Sequence, residues 1–146
     1  MLSQHSRLFS GSIAANLRLA KPDASNAQLL DALKTAGLEG LLRRLPDGLQ
    51  TWVGEMGAKL SGGEIRRLAL ARVYLQDAPI VLLDEPTEGL DADTEQQILE
   101  SLQSISQQKT VLLVTHRQAG LEHVDAVYRI KSGQLFLEHE YEKIAR

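Results

Sequence analysis

Three short stretches carry residues whose types and spacing suit chemistry on a phosphorylated ligand. In the first, Ser61-Gly62-Gly63-Glu64 opens a segment of helical periodicity. Serine at the first position and glutamate three residues on form a capping box. That accounts for Ser61 and Glu64 but not for the two glycines between them, which cost backbone entropy in a helix. A phosphate accounts for the glycines, because a bare Cα lets an anion approach the backbone N–H groups at the positive end of a helix. In the second stretch, the apolar run Ile80-Val81-Leu82-Leu83 ends in Asp84-Glu85. Open α/β sheets place ligands at the carboxyl ends of their strands. Two acids there are rarely structural, because unpaired buried charge is costly. In the third, the run Thr110 to Val114 ends in Thr115-His116-Arg117, again with a titratable residue at the strand's end. A lone histidine is usually structural, so His116 gains meaning only from the other two stretches. A glycine pair at a helix tip, followed within one βα spacing by an apolar strand ending in Asp-Glu, points to nucleoside-triphosphate chemistry.

The elements that must position these residues can be read in order. Leu8 to Leu17 reads as a turn and a short helix, and Pro22-Asp23 interrupts the chain. Ser25 and Gln28 form a capping box for a helix whose Leu29, Leu30, Leu33 and Ala36 share a face and which stops at Gly37. A second short helix spans Leu38 to Leu45, and Pro46-Asp47-Gly48 is a turn. The helix after Gly63 runs to about Leu75, with Ile65, Leu68, Ala69 and Val73 on one face and Arg66, Arg67 and Arg72 elsewhere. The uninterrupted apolar runs at 80–83 and 110–114 predict strands buried on both faces, as in a parallel α/β sheet. Between them Asp91 or Asp93 caps a helix with the core stripe Ile98, Leu99, Leu102 and Ile105. Ala126 to Ile130, the turn Lys131-Ser132-Gly133 and Gln134 to Glu138 predict a hairpin, and a short helix is expected from His139.

Composition bounds the function. The 146 residues amount to one domain, and 43% hydrophobic residues suffice for a core. With 16 basic against 19 acidic residues and no long basic run, a nucleic-acid partner is not expected. The absence of cysteine rules out disulfides and thiolate metal sites. No apolar run approaches the ~20 residues of a bilayer span. A soluble, cytoplasmic piece is therefore expected, with any membrane attachment made through a partner or through further chain.

Leu60-Ser61-Gly62-Gly63-Glu64, Leu82-Leu83-Asp84-Glu85 and Gly89-Leu90-Asp91 resemble the signature motif, Walker B strand and D-loop of ATP-binding cassette (ABC) ATPases. Val53-Gly54-Glu55-Met56-Gly57 is similar to the Val-Gly-Glu-x-Gly loop that precedes the signature in exporters and touches their membrane domain. The resemblance implies an α/β fold: the C-terminal part of a P-loop NTPase domain, with a helical signature subdomain (5–76) and the parallel-sheet half of the core (77–146). It implies ATP and Mg²⁺ as ligands. Asp84 would hold Mg²⁺, Glu85 would act as general base, and His116 would contact the γ-phosphate and Glu85. Gln4 would complete the shell around Mg²⁺ and water, and Asp91 would read the state of the opposite site. Ser61, Gly62 and Gly63 would close over nucleotide held by a second cassette.

No Gly-x-x-x-x-Gly-Lys-Ser/Thr occurs in the chain. The expectation is therefore a cassette's carboxyl-terminal part, without the Walker A half, inactive as an ATPase by itself and poorly stable where its strands lack neighbours. Long coiled-coil heptads of the chromosome-maintenance ATPases are absent, and Val114-Thr115-His116-Arg117 favours exporters. Pro86-Thr87-Glu88-Gly89-Leu90-Asp91 is most similar to the bacterial thiol-reductant exporters of cytochrome bd assembly, whose proposed cargo is glutathione or cysteine. That resemblance implies a hetero-dimeric partner cassette, a transmembrane domain and a place on the cytoplasmic side of the inner membrane. The alternative is a truncated, non-catalytic cassette that binds or regulates a partner, or a cassette of another ABC class.

Overall fold

The structure, a computed structural model, describes residues 7–140 except 77, 108, 122 and 123. It divides into two units after Thr115.

The first unit begins with α1 (Ile13–Arg18), α2 (Asn26–Thr35) and α3 (Glu39–Arg44). Ser12 caps α1, and Ser25 with Gln28 forms the expected capping box on α2. The stop at Gly37 is a Schellman turn: the Leu38 N–H bonds the Leu33 carbonyl, the Gly37 N–H bonds Lys34, and Gly37 sits at φ +70°. Leu29, Leu33 and Ala36 are buried as predicted, whereas Leu30 is exposed. The loop at 52–57 leads by a 3₁₀ turn (Glu55–Gly57) into α4 (Gly62–Leu75). Strand β1 (Ile80–Asp84), helix α5 (Ala92–Ser106) and strand β2 (Thr110–Val114) complete the unit. The strands pair in parallel, Ile80 opposite Thr110 through Asp84 opposite Val114.

Two hydrophobic clusters meet along α4. Leu68, Ala71 and Leu75, with Ile65 at the edge, face a cluster built from α1, α2, α3 and Val53. Ala69, Leu70 and Val73 face a second cluster with Val81, Leu83, Ile98, Leu102 and Ile105. The single apolar face predicted for α4 is therefore two adjacent faces, because the helix is gripped from both sides.

The strands also differ from expectation. Val81 and Leu83 are buried, but Ile80 is 65% exposed, Leu112 57% and Val114 47%. Helices α4 and α5 cover one face of the two-stranded sheet, and no other described element of the first unit covers the other. An unbroken apolar run registers the tendency to be buried on both faces, not whether a second layer is there.

Asn16 and Arg72 fasten the start of the unit to α4. The buried Asn16 amide accepts from the Phe9 N–H at 2.9 Å and donates to the Phe9 carbonyl at 2.8 Å. The Arg72 guanidinium donates to the carbonyls of Asn16 and Arg7, each at 2.9 Å, and lies 5.9 Å from the Phe9 ring centre.

The second unit is the hairpin β3 (Ala126–Lys131) and β4 (Gln134–Glu140). Its turn places Ser132 and Gly133 at positive φ. A register shift between Val127 and Tyr128 sets His139 opposite Val127 and Glu140 opposite Ala126. The helix expected from His139 thus begins as strand, because His139 and Glu140 still pair with β3. Residues beyond Glu140 lie outside those described.

Candidate functional site

The tip of α4 is built by the capping box read from the sequence. The Glu64 N–H donates to Ser61 Oγ at 3.2 Å, and the Ser61 N–H donates to Glu64 Oε2 at 2.8 Å. Arg44, at the end of α3, reaches Glu64 Oε1 at 2.5 Å. Partial burial pushes the Glu64 carboxyl up. The Ser61 N–H and hydroxyl and the Arg44 guanidinium outweigh that and hold it below its ordinary value.

The two glycines at this tip differ. A Cβ built on the exposed Gly62 would meet nothing within 4 Å, and no positive φ requires glycine there. A Cβ on Gly63 would lie 2.8 Å from the Thr94 methyl carbon. Packing within the chain therefore demands a glycine at 63 but not at 62, where the backbone is open to an approaching group.

The acids lie at the end of β1. Asp84 is its last residue, half-buried, and Glu85 follows at φ +47°. A non-glycine residue in the left-handed region is uncommon, and such strain gathers at functional sites. Two bonds to the neighbouring strand hold Glu85 there: its N–H donates to the Val114 carbonyl at 2.9 Å, and Thr115 Oγ1 donates to its Oε2 at 3.3 Å. The turn after it packs the buried Thr87 and brings the Glu88 carbonyl within 3.5 Å of the Arg66 guanidinium. Asp91 then caps α5, accepting from the Thr94 N–H at 2.9 Å on one oxygen and from the Thr94 hydroxyl at 2.8 Å on the other. Those two donors, the backbone one foremost, hold the exposed Asp91 carboxyl below its ordinary value.

The first unit thus contains Ser61, Gly62, Gly63, Asp84, Glu85 and Asp91. His116 is exposed and opens the second unit. Gln4 lies outside the described residues. Thr94 and Thr115 escaped the sequence reading. Their hydroxyls serve acids at other positions in the chain, and only pairing of β1 with β2 brings Thr115 to Glu85.

These residues fit a magnesium–nucleotide group in part. Among the described residues no three His, Asp or Glu converge as a metal cage. Mg²⁺ takes one or two carboxylates together with substrate phosphates, and Asp84, half-buried at the end of β1, would be one such carboxylate. The exposed backbone at Gly62 suits an anion. The phosphate-cradling loop is not in the chain.

A helical unit ending in a Ser-Gly-Gly helix tip, joined to a parallel strand ending in two acids, defines a nucleotide-binding cassette. A profile described as "ABC transporter" matches residues 1–88, and the chain belongs to that family. It is 51% identical over 135 residues to the glutathione/L-cysteine transport system ATP-binding/permease protein CydC of Escherichia coli, covering 92% of this chain and 23% of that protein. It is 41% identical over 144 residues to the CydD protein of the same description from Bacillus subtilis, covering 99% and 25%. The ATP-dependent lipid A-core flippase of Chromobacterium violaceum is 36% identical over 135 residues, 92% of this chain and 23% of that one. Among solved structures, a bacterial Atm1-family ABC exporter with ATP bound superposes with a TM-score of 0.82 at 38% identity, covering 91% of this chain and 23% of the other. The chain spans about a quarter of the length of the curated relatives it matches.

Proposed function

We propose that this chain supplies the signature helix and the acid-bearing strand of an ATP-hydrolysing cassette in an exporter. The observation that carries this reading is Gly62: a glycine at a helix tip that neither packing nor backbone conformation requires, left open to a ligand. Residues 5–76 would be the helical signature subdomain and 77–146 the carboxyl-terminal part of the core.

When bound, magnesium ATP supplies the phosphoryl group and the counter-charge, with Asp84 and Gln4 contributing to the Mg²⁺ shell. Glu85 takes up the proton of the attacking water. Its carboxylate is aimed by the Thr115 hydroxyl, and its strained backbone is pinned by the Val114 carbonyl. His116 would contact the γ-phosphate. Ser61, Gly62 and Gly63 would close over nucleotide whose phosphates a second cassette cradles, and Asp91 would read the state of that site. The partners are accordingly another ABC ATPase domain, in a hetero-dimer, and a transmembrane domain, at the cytoplasmic side of a bacterial inner membrane.

For cargo, the reading is a small thiol, glutathione or cysteine, exported in support of cytochrome bd assembly. The relatives at 51% and 41% identity bear glutathione/L-cysteine transport in their names. The flippase at 36% and a putative multidrug exporter of Staphylococcus aureus at 38% support a lipid or drug cargo as the competing reading.

The test uses the assembled transporter in inside-out vesicles, following ATP hydrolysis and the uptake of labelled glutathione and cysteine. Glu85→Gln is expected to abolish both hydrolysis and thiol uptake. Hydrolysis that survives Glu85→Gln refutes the catalytic assignment, and ATP-driven uptake of lipid or drug without thiol refutes the cargo.

A further inference from the structure

The adjacent glycines of the α4 tip are glycines for different reasons, and the second reason has a partner. A Cβ on Gly63 would stand 2.8 Å from Thr94 Cγ2, a separation that real Cβ atoms essentially never show. The same threonine gives its hydroxyl to Asp91 Oδ2 at 2.8 Å and its N–H to Asp91 Oδ1 at 2.9 Å. One residue therefore touches both the tip of α4 and the acid that begins α5. The Arg67 guanidinium, which donates to the Gln97 amide oxygen, adds a second tie between these helices.

We propose that Thr94 is a positioning residue: its methyl group, seated on the bare Cα of Gly63, keys the signature tip to the first turn of α5, and its hydroxyl fixes Asp91 to the same junction. Gly63 is a glycine because Thr94 occupies its side-chain space, whereas Gly62 is a glycine because a ligand must approach. The spacing between the anion-facing amides of α4 and the Asp91 carboxylate is thereby set inside this chain, before any partner arrives. The functional consequence rests on the reading above; the packing does not.

The test is a double-mutant cycle on the full chain, followed in the assembled transporter. Thr94→Ser deletes only the offending methyl and keeps the hydroxyl, whose oxygen would stand 3.5 Å from the new Cβ, an ordinary contact. In the Thr94 background, Gly63→Ala is expected to lower the melting temperature by about 3–9 °C, as overpacking does in a chain of this size. In the Thr94→Ser background the same change is expected to be neutral or stabilising, because alanine is the better helix former. ATP turnover in the transporter is expected to fall at least about tenfold further for Gly63→Ala with threonine at 94 than with serine there.

A Gly63→Ala cost that is the same with threonine or serine at 94 overturns the proposal. So does a loss of turnover from Gly63→Ala that is as deep with serine at 94 as with threonine, since Thr94 would then not position the tip. A transporter without any ATP turnover, together with an intact Gly63–Thr94 coupling in the melts, refutes the functional reading and leaves the packing assignment supported.

Discussion

Replacing Gly62 with alanine separates stability from function at one atom. The position lies in the first turn of α4, and a Cβ there meets nothing within 4 Å. Its φ is not in the left-handed region, so alanine adopts the backbone without strain. Alanine in place of a helical glycine stabilises by about 0.5–1 kcal/mol, chiefly by narrowing the unfolded ensemble. The gain in the first turn belongs at the lower end, because helix ends are less constrained. For 146 residues that raises the melting temperature by roughly 1–3 °C. The same methyl group would cover the N–H groups that the ligand needs, so ATP turnover by the assembled transporter should fall. Removal of one well-placed donor to a charged transition state costs roughly 100-fold, which sets the expected scale. The assay pairs thermal denaturation followed by circular dichroism with steady-state phosphate release. A Gly62→Ala variant that melts several degrees lower would mean an unrecognised packing role. A variant with unchanged turnover would mean that no ligand approaches this tip, and the assignment of the signature motif would fail.

Three further outcomes follow from the same geometry. Asn16→Ala strips partners from the part-buried Phe9 N–H and carbonyl bonds and should cost about 1–3 kcal/mol, read as a loss in the urea midpoint; a cost under ~1 kcal/mol would show that water replaces the amide. Gly57→Ala meets a φ of +81° and contacts of 3.0 Å to Leu8 and 3.2 Å to Ile65, so it should destabilise by about 2–4 kcal/mol, while Gly48→Ala, at positive φ in open space, should cost only about 1; equal melting temperatures for the two would contradict the packing. The folded-state pKa of Glu64 is depressed, so its contribution is present above the unfolded value and is lost as pH falls through the folded one. Stability should therefore decline below about pH 4.5, and Glu64→Gln, which keeps the capping box, should flatten that decline; an unchanged pH profile would refute it.

The local devices were legible because each is a short-range code. Serine with an acid or amide three residues on gave the caps of α2 and α4, glycine gave the stop at 37, and a turn between alternating residues gave the hairpin. What escaped depended on neighbours distant in the chain. Leu112 and Val114 read as buried because apolar runs do not say how many layers flank a sheet. α4 read as one-faced because Leu68 and Ala69, adjacent in sequence, enter different clusters. The difference between Gly62 and Gly63 was likewise invisible, since it is set by Thr94 some thirty residues later. His139 read as helical because its pairing with Val127 on the neighbouring strand leaves no compositional mark. The left-handed backbone of Glu85 could not be read at all, because glutamate has no preference for it.

The measurement that bears most directly on a nucleotide half-site is the backbone amide spectrum of the isotopically labelled chain, titrated with magnesium ATP alone and then together with a cassette that carries the phosphate-cradling loop. The expected result is no shift with nucleotide alone, and shifts confined to Gly62, Gly63 and Glu64 and to the Asp91 turn once the second cassette is present. Shifts of those amides with nucleotide alone, or their silence in the presence of both, would contradict it.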